Sequence, residues 1–172
     1  GEDVSDDVFE KIFELQQRVP DLYPGKKRSR SFWHSKARGN NAFNVVIFKG
    51  DDLVSLASCF MYKTVKGKPV LYIATFMTDH QVRGAGLGTA LWQTCVDVVK
   101  ACSPIAVDRG EHHVGCVFAQ LVTTGDGLRF WRNKTPMTDA IEASFLAMQA
   151  SMSDYWLEPS RCAPKVYVLY RS

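Results

Sequence analysis

Three glycines fall at alternate positions, Gly84, Gly86 and Gly88, in the stretch DHQVRGAGLGTAL, just before a run with helical periodicity. A glycine loop that opens a helix presents several free N–H groups and the positive end of the helix dipole. It also lacks the Cβ atoms that would hold an anion away. The chemistry suited to this spacing is phosphate binding. Two common phosphate loops do not fit. A P-loop ends in GK[ST], and Gly86-Leu87-Gly88-Thr89 has no lysine. A dinucleotide fingerprint is GxGxxG after the first strand of a parallel unit, whereas this spacing is GxGxG and strand-like runs precede it.

Other residues of chemical interest are scattered. Glu111, His112 and His113 stand together before the apolar run CVFAQLVTT, and a histidine near its free pKa suits proton transfer. Asp79 and His80 flank the glycine loop, and Asp126 is placed to cap a short helix. Lys26, Lys27, Arg28, Arg30, Lys36 and Arg38 make residues 26–38 basic, with Trp33 among them, a pattern that predicts a weak nucleic-acid contact or a nuclear-localisation patch. The five cysteines are odd in number and none forms a CxxC pair, which argues against a metal site or a disulfide framework and for a reduced intracellular compartment.

These residues must be positioned by a folded frame, and the composition allows one. The chain has 172 residues, 46% of them apolar and 23% charged, so a single domain over 1–172 is expected. No apolar run approaches a membrane span, and a net charge of +3 does not by itself imply a nucleic-acid partner. DDVFEKIFELQQR carries apolar residues at helical spacing between Ser5 and Pro20. AFNVVIFKG, LVSLASCFMYKTV and VLYIATFM are strand-like and separated by turn residues, which predicts an antiparallel meander. After the loop, Leu87, Leu91, Cys95, Val98 and Cys102 form one apolar helix face. CVFAQLVTT then reads as a strand, GDGLRFWRNK as a short helix, residues after Thr135-Pro136 as a further helix, and KVYVLY as a last strand. The fold class is α/β (α+β).

Gln81-Val82-Arg83-Gly84-Ala85-Gly86 resembles Q/R-x-x-G-x-G/A, the acetyl-CoA pyrophosphate loop of the GNAT superfamily of N-acetyltransferases, and TDHQVRGAG is locally most similar to its histone-lysine branch. The order of elements over residues 40 to 135 resembles the family too. The resemblance implies a mixed central sheet, an antiparallel meander followed by two splayed parallel strands, flanked by helices, with acetyl-CoA in the gap. It implies that the N–H of Ala74 holds the thioester carbonyl and the oxyanion, and that the backbone of Phe76 pairs with the pantetheine. The amides of Val82, Arg83, Gly84, Ala85, Gly86, Leu87 and Gly88 would hold the pyrophosphate, with Gln81, the Thr89 hydroxyl and the Arg83 charge beside them. Phe130 and Trp131 match the family's aromatic pair along the pantetheine arm.

The glutamate that serves the histone branch as general base falls at Val70, and the frequent tyrosine at Phe130. Glu111, His112 and His113 are therefore the candidate base, on the side of the gap that should face the acceptor. The expected acceptor is a primary amine, first a lysine in a basic, histone-like protein tail steered by Asp51, Asp52, Asp139, Glu142, Asp154 and Glu158. The alternatives are a small amine or a protein N-terminus, or a non-catalytic module that binds protein or chromatin. No membrane partner is expected, and the nucleus is favoured over the cytoplasm.

Overall fold

Three successive apolar runs become a sheet over residues 42–78. The computed structural model describes residues 6–19, 27–64, 69–102, 117–119, 125–134, 157–159 and 166–171. Strands β1 (Ala42–Lys49), β2 (Asp52–Thr64) and β3 (Pro69–Thr78) pair antiparallel in succession, the expected meander. Seven of the eight β1 residues are buried, because helices cover the sheet on both faces and leave no polar side for alternation to mark. β4 (Val117–Ala119) lies parallel to β3 at one edge, and β6 (Val166–Arg171) lies parallel to β1 at the other. The order is β4-β3-β2-β1-β6, and the short β5 (Leu157–Pro159) pairs the far end of β2.

Helix α1 (Asp6–Arg18) buries Phe9, Ile12 and Leu15 against one face. Asp6 and Asp7 sit in its first turn and Arg18 in its last, each complementing the helix dipole. The small helix α2 (Arg30–His34) is capped by Ser29, whose side chain accepts from the Phe32 N–H, and it packs Trp33 into the same cluster. On the opposite face α3 (Leu87–Cys102) lays down Leu87, Leu91, Cys95 and Val98, joined by Trp131 of α4 (Gly125–Lys134). Each of the larger side chains contributes roughly 1.5–3 kcal/mol of burial. The α3 stripe is the one its periodicity predicts. Cys95 is a core residue, with its Sγ 3.7 Å from that of Cys59. α3 connects β3 to the parallel β4 as the crossover.

The helix after Pro136, the Ser5 cap and most of CVFAQLVTT lie outside the described residues. Asp126 falls inside the first turn of α4 and is not its cap, since the helix already begins at Gly125. Among the described residues no helix is long and apolar enough to cross a membrane.

Candidate functional site

The site begins with an irregularity in β3. Its pairing with β2 runs from Thr78/Ser55 to Thr75/Ser58 and resumes at Ile73/Cys59, so Ala74 is one residue too many for the ladder. Such a bulge bends the strand and leaves the extra residue without a place in the pairing. Among the described residues the β3–β4 ladder pairs Leu71 with Val117 through Ile73 with Ala119, which brings β4 up to the residue before Ala74. Further along, the Asp79 N–H donates to the Val54 carbonyl at 2.9 Å. Counting back by the alternation of an antiparallel pair, Phe76 directs its N–H and C=O away from β2, toward the β4 edge.

β3 delivers the chain into a tightly held turn. Asp79, 7% exposed, takes the Gln81 N–H on its carboxylate at 3.0 Å and the Val82 N–H on its carbonyl at 3.1 Å. Arg18, at the end of α1, donates to the same carboxylate at 3.3 Å and to the Leu53 carbonyl at 2.8 Å. Burial raises the Asp79 pKa, but the Gln81 hydrogen bond and Arg18 together outweigh it, so the carboxyl sits below its ordinary value. The Arg83 side chain folds back so that its Nε donates to the Thr78 carbonyl at 3.2 Å.

The glycines follow. Gly84 and Gly86 have φ of +84° and +77°, and nothing lies within 4 Å of where a Cβ would be. Their identity is set by backbone conformation, while the space over the loop is open. The Ala90 N–H bonds the Gly86 carbonyl at 3.0 Å, opening α3, so the N–H groups of Leu87, Gly88 and Thr89 precede the first helical bond. With 16 residues behind it, this terminus offers an anion both donors and dipole. Gly88 has a different reason. A Cβ there would stand 3.2 Å from Cε2 of Phe130. α4 docks at that point, with the Phe76 ring 5.4 Å from Phe130 and 4.9 Å from Trp131.

A bulged strand, a positive-φ glycine loop and a helix N-terminus thus form one continuous path. Residues 9–118, more than half of the chain, match the acetyltransferase (GNAT) family. The chain belongs to that family. GNAT enzymes take their acetyl group from acetyl-CoA, and the open, donor-rich loop fits the pyrophosphate of that cofactor. Among solved structures the fold is similar to ribosomal-protein-alanine N-acetyltransferase from Brucella melitensis biovar Abortus 2308 (TM-score 0.56, 15% identity, 79% of this chain and 91% of that chain). It is also similar to NAA60 from Arabidopsis thaliana in complex with a bisubstrate analogue (TM-score 0.53, 14% identity, 77% and 79%). A third is glucosamine-6-phosphate N-acetyltransferase from Arabidopsis thaliana (TM-score 0.51, 15% identity, 77% and 86%). At such identities the likeness is one of fold. No curated protein matches the chain.

Within this GNAT frame the sequence-derived residues fare differently. Ala74, Phe76, Gly84, Ala85, Gly86, Leu87, Gly88, Thr89, Phe130 and Trp131 line up along the path from the bulge to the loop and α4. The amides of Gln81 and Val82 are already bonded to Asp79, so they shape the loop. Glu111, His112 and His113 lie outside the described residues. Trp33 is fully buried, which removes it as a platform for a nucleic-acid base. Much of the surrounding basic segment is committed within the fold: Arg30 pairs with Glu10 and Arg38 with Asp6, both acids of α1. Two features escaped the sequence reading. One is Tyr72, a titratable residue two positions before Ala74 on β3. The other is the reach of Arg28, read from sequence only as part of a basic run, which donates to the Ala74 carbonyl at 3.3 Å. Period-two patterning marks neither a bulge nor an arginine that reaches it from 46 residues away.

Proposed function

We propose that this chain transfers acetyl from acetyl-CoA to a primary amine on a polypeptide, by direct attack with both substrates bound, and that a lysine side chain is the acceptor to test first. The observation that carries the proposal is the donor-rich loop set directly after a strand bulged at Ala74. Acetyl-CoA supplies the activated acetyl group. The amides from Gly84 to Thr89 and the α3 dipole bind its pyrophosphate. The backbone of Phe76 has polar groups on the correct edge for the pantetheine arm, and Phe130 and Trp131 wall that arm. The Ala74 N–H is the donor to the carbonyl oxygen on which charge develops, a contribution worth about a hundred- to a thousandfold in rate.

The amine must lose a proton before it attacks. Glu111, His112 and His113 are the groups assigned that task. Tyr72 is the titratable side chain closest along β3 to Ala74 among the described residues. A protein N-terminus is a second acceptor of the same chemistry, and the fold likeness to ribosomal-protein-alanine N-acetyltransferase favours including it.

The test has two stages. Calorimetric titration with acetyl-CoA should show binding to the native protein and none to Gly86→Glu, which sets a carboxylate in the loop. Equal affinity in the two would remove the loop assignment. Mass spectrometry of peptides bearing either a free N-terminus or an internal lysine, with acetyl-CoA and a no-enzyme control, then reads transfer. Tight cofactor binding with no acetyl gain on any peptide would refute a polypeptide acceptor.

A further inference from the structure

Four described arginines lie on the side of the sheet covered by α1 and α2. Arg18 pairs with Asp79, Arg30 with Glu10 and Arg38 with Asp6. Arg28 has no carboxylate partner among the described residues. Its Nη2 donates to the Ala74 carbonyl at 3.3 Å, its guanidinium lies 4.9 Å from the centroid of the Phe32 ring, and its Nε is buried with no acceptor. The position is nevertheless closely built. Gln16, 1% exposed, accepts the Arg28 N–H at 2.6 Å and donates to the Arg28 carbonyl at 2.8 Å. Beside Ala74 two further buried groups have no hydrogen-bond partner, the hydroxyls of Ser58 and Thr75, which are register partners on β2 and β3.

An arginine nitrogen can only donate. A water can satisfy two hydroxyls, but a guanidinium with a single long bond to a carbonyl is best completed by an anion. Its planar fork matches a carboxylate. The geometry points to a carboxylate subsite at Arg28: the acceptor carries a carboxylate close to its reactive amine, and Arg28 selects for it. This rests on the reading of Ala74 as the place of attack. It changes the expected acceptor, because a lysine or arginine neighbour in a basic tail would meet a like charge here. The carboxylate can come from an acidic residue beside the acceptor in a peptide, or from the α-carboxylate of a free amino acid.

Calorimetric binding to the protein–CoA complex distinguishes these. One pair of probes is an Nα-blocked peptide with Asp or Asn beside its lysine, and the other is free lysine against lysinamide. Within the pair that matches the true source, the carboxylate form should bind about tenfold tighter or more, as a charge-assisted hydrogen-bonded pair gives. Arg28→Gln should erase that preference, and Arg28→Glu should turn it toward a peptide with a lysine neighbour. Equal or absent binding within both pairs overturns the proposal, and so does a preference that survives in Arg28→Gln. The native comparison stands even if a variant does not fold. Because binding is read without turnover, a clear preference with no acetyl transfer would count against the acetyltransferase reading alone.

Discussion

Replacing Asp79 tests how the glycine loop is held. Asp79→Asn keeps a side-chain oxygen that can accept the Gln81 N–H but removes the charge opposite Arg18. The Arg18 side chain is 42% exposed, so this ion pair is partly screened and worth less than about 1 kcal/mol. Asp79→Ala loses the capping bond as well, adding about 1 kcal/mol. For a chain of this size each kcal/mol shifts the melting temperature by roughly 2–4 °C. The expected falls at pH 7 are therefore about 1–4 °C for Asn and about 3–8 °C for Ala. The charge also fixes the pH dependence. The folded carboxyl titrates below the ordinary 3.8, so its stabilisation is present above that value and disappears as the pH falls through the folded pKa. Circular dichroism melts from pH 7 down to pH 3 should show the gap between native protein and Asp79→Asn closing as the medium becomes acidic. A gap that widens on acidification, or an Ala variant as stable as the Asn variant, would refute this account of the turn.

Gly84→Ala should destabilise by about 1–2 kcal/mol in urea titration, with no steric part, because the position is open and only its positive φ is costly. Trp131→Ala should cost about 3–5 kcal/mol by the same assay, since the ring is 5% exposed and packs on Phe76 and Trp92. Gln16→Leu should cost about 1–3 kcal/mol by leaving the Arg28 N–H without its partner, and limited trypsin digestion should cleave at Arg28 sooner than in native protein. A thiol reagent should label at least two fewer cysteines in native than in unfolded protein, because Cys59 and Cys95 are fully buried.

The frame was legible where local pattern decides structure. Leu87, Leu91, Cys95 and Val98 repeat at helical spacing, and α3 buries that stripe. The glycine loop was legible because positive φ at Gly84 and Gly86 demands the residue type that makes the pattern visible. The bulge at Ala74 was not, since an inserted residue leaves VLYIATFM as apolar as an unbroken strand. Trp33 misled for a related reason. Charged neighbours suggested a surface, but Arg30 and Arg38 reach across to the acids of α1, over the Phe13 and Phe9 rings, while Trp33 itself is buried in the apolar cluster beneath. Strand partners far apart in the chain leave no local trace. The β1–β6 and β2–β5 pairings appeared only in three dimensions.

The β1–β6 pairing has a consequence for how the chain acquires its shape. β1 meets its parallel neighbour only after more than a hundred further residues, from Asn44 to Val166, whereas β1, β2 and β3 close through short turns. Local hairpins form early and the distant parallel pair closes late, because loop closure grows costlier with length. On a ribosome the meander and α1 can therefore assemble while one edge of β1 waits for its partner. That edge is a buried-type apolar strand, the kind that recruits a neighbouring chain when left open. The last strand thus acts as a closing latch, and the interval before it docks is when this protein is most exposed to aggregation.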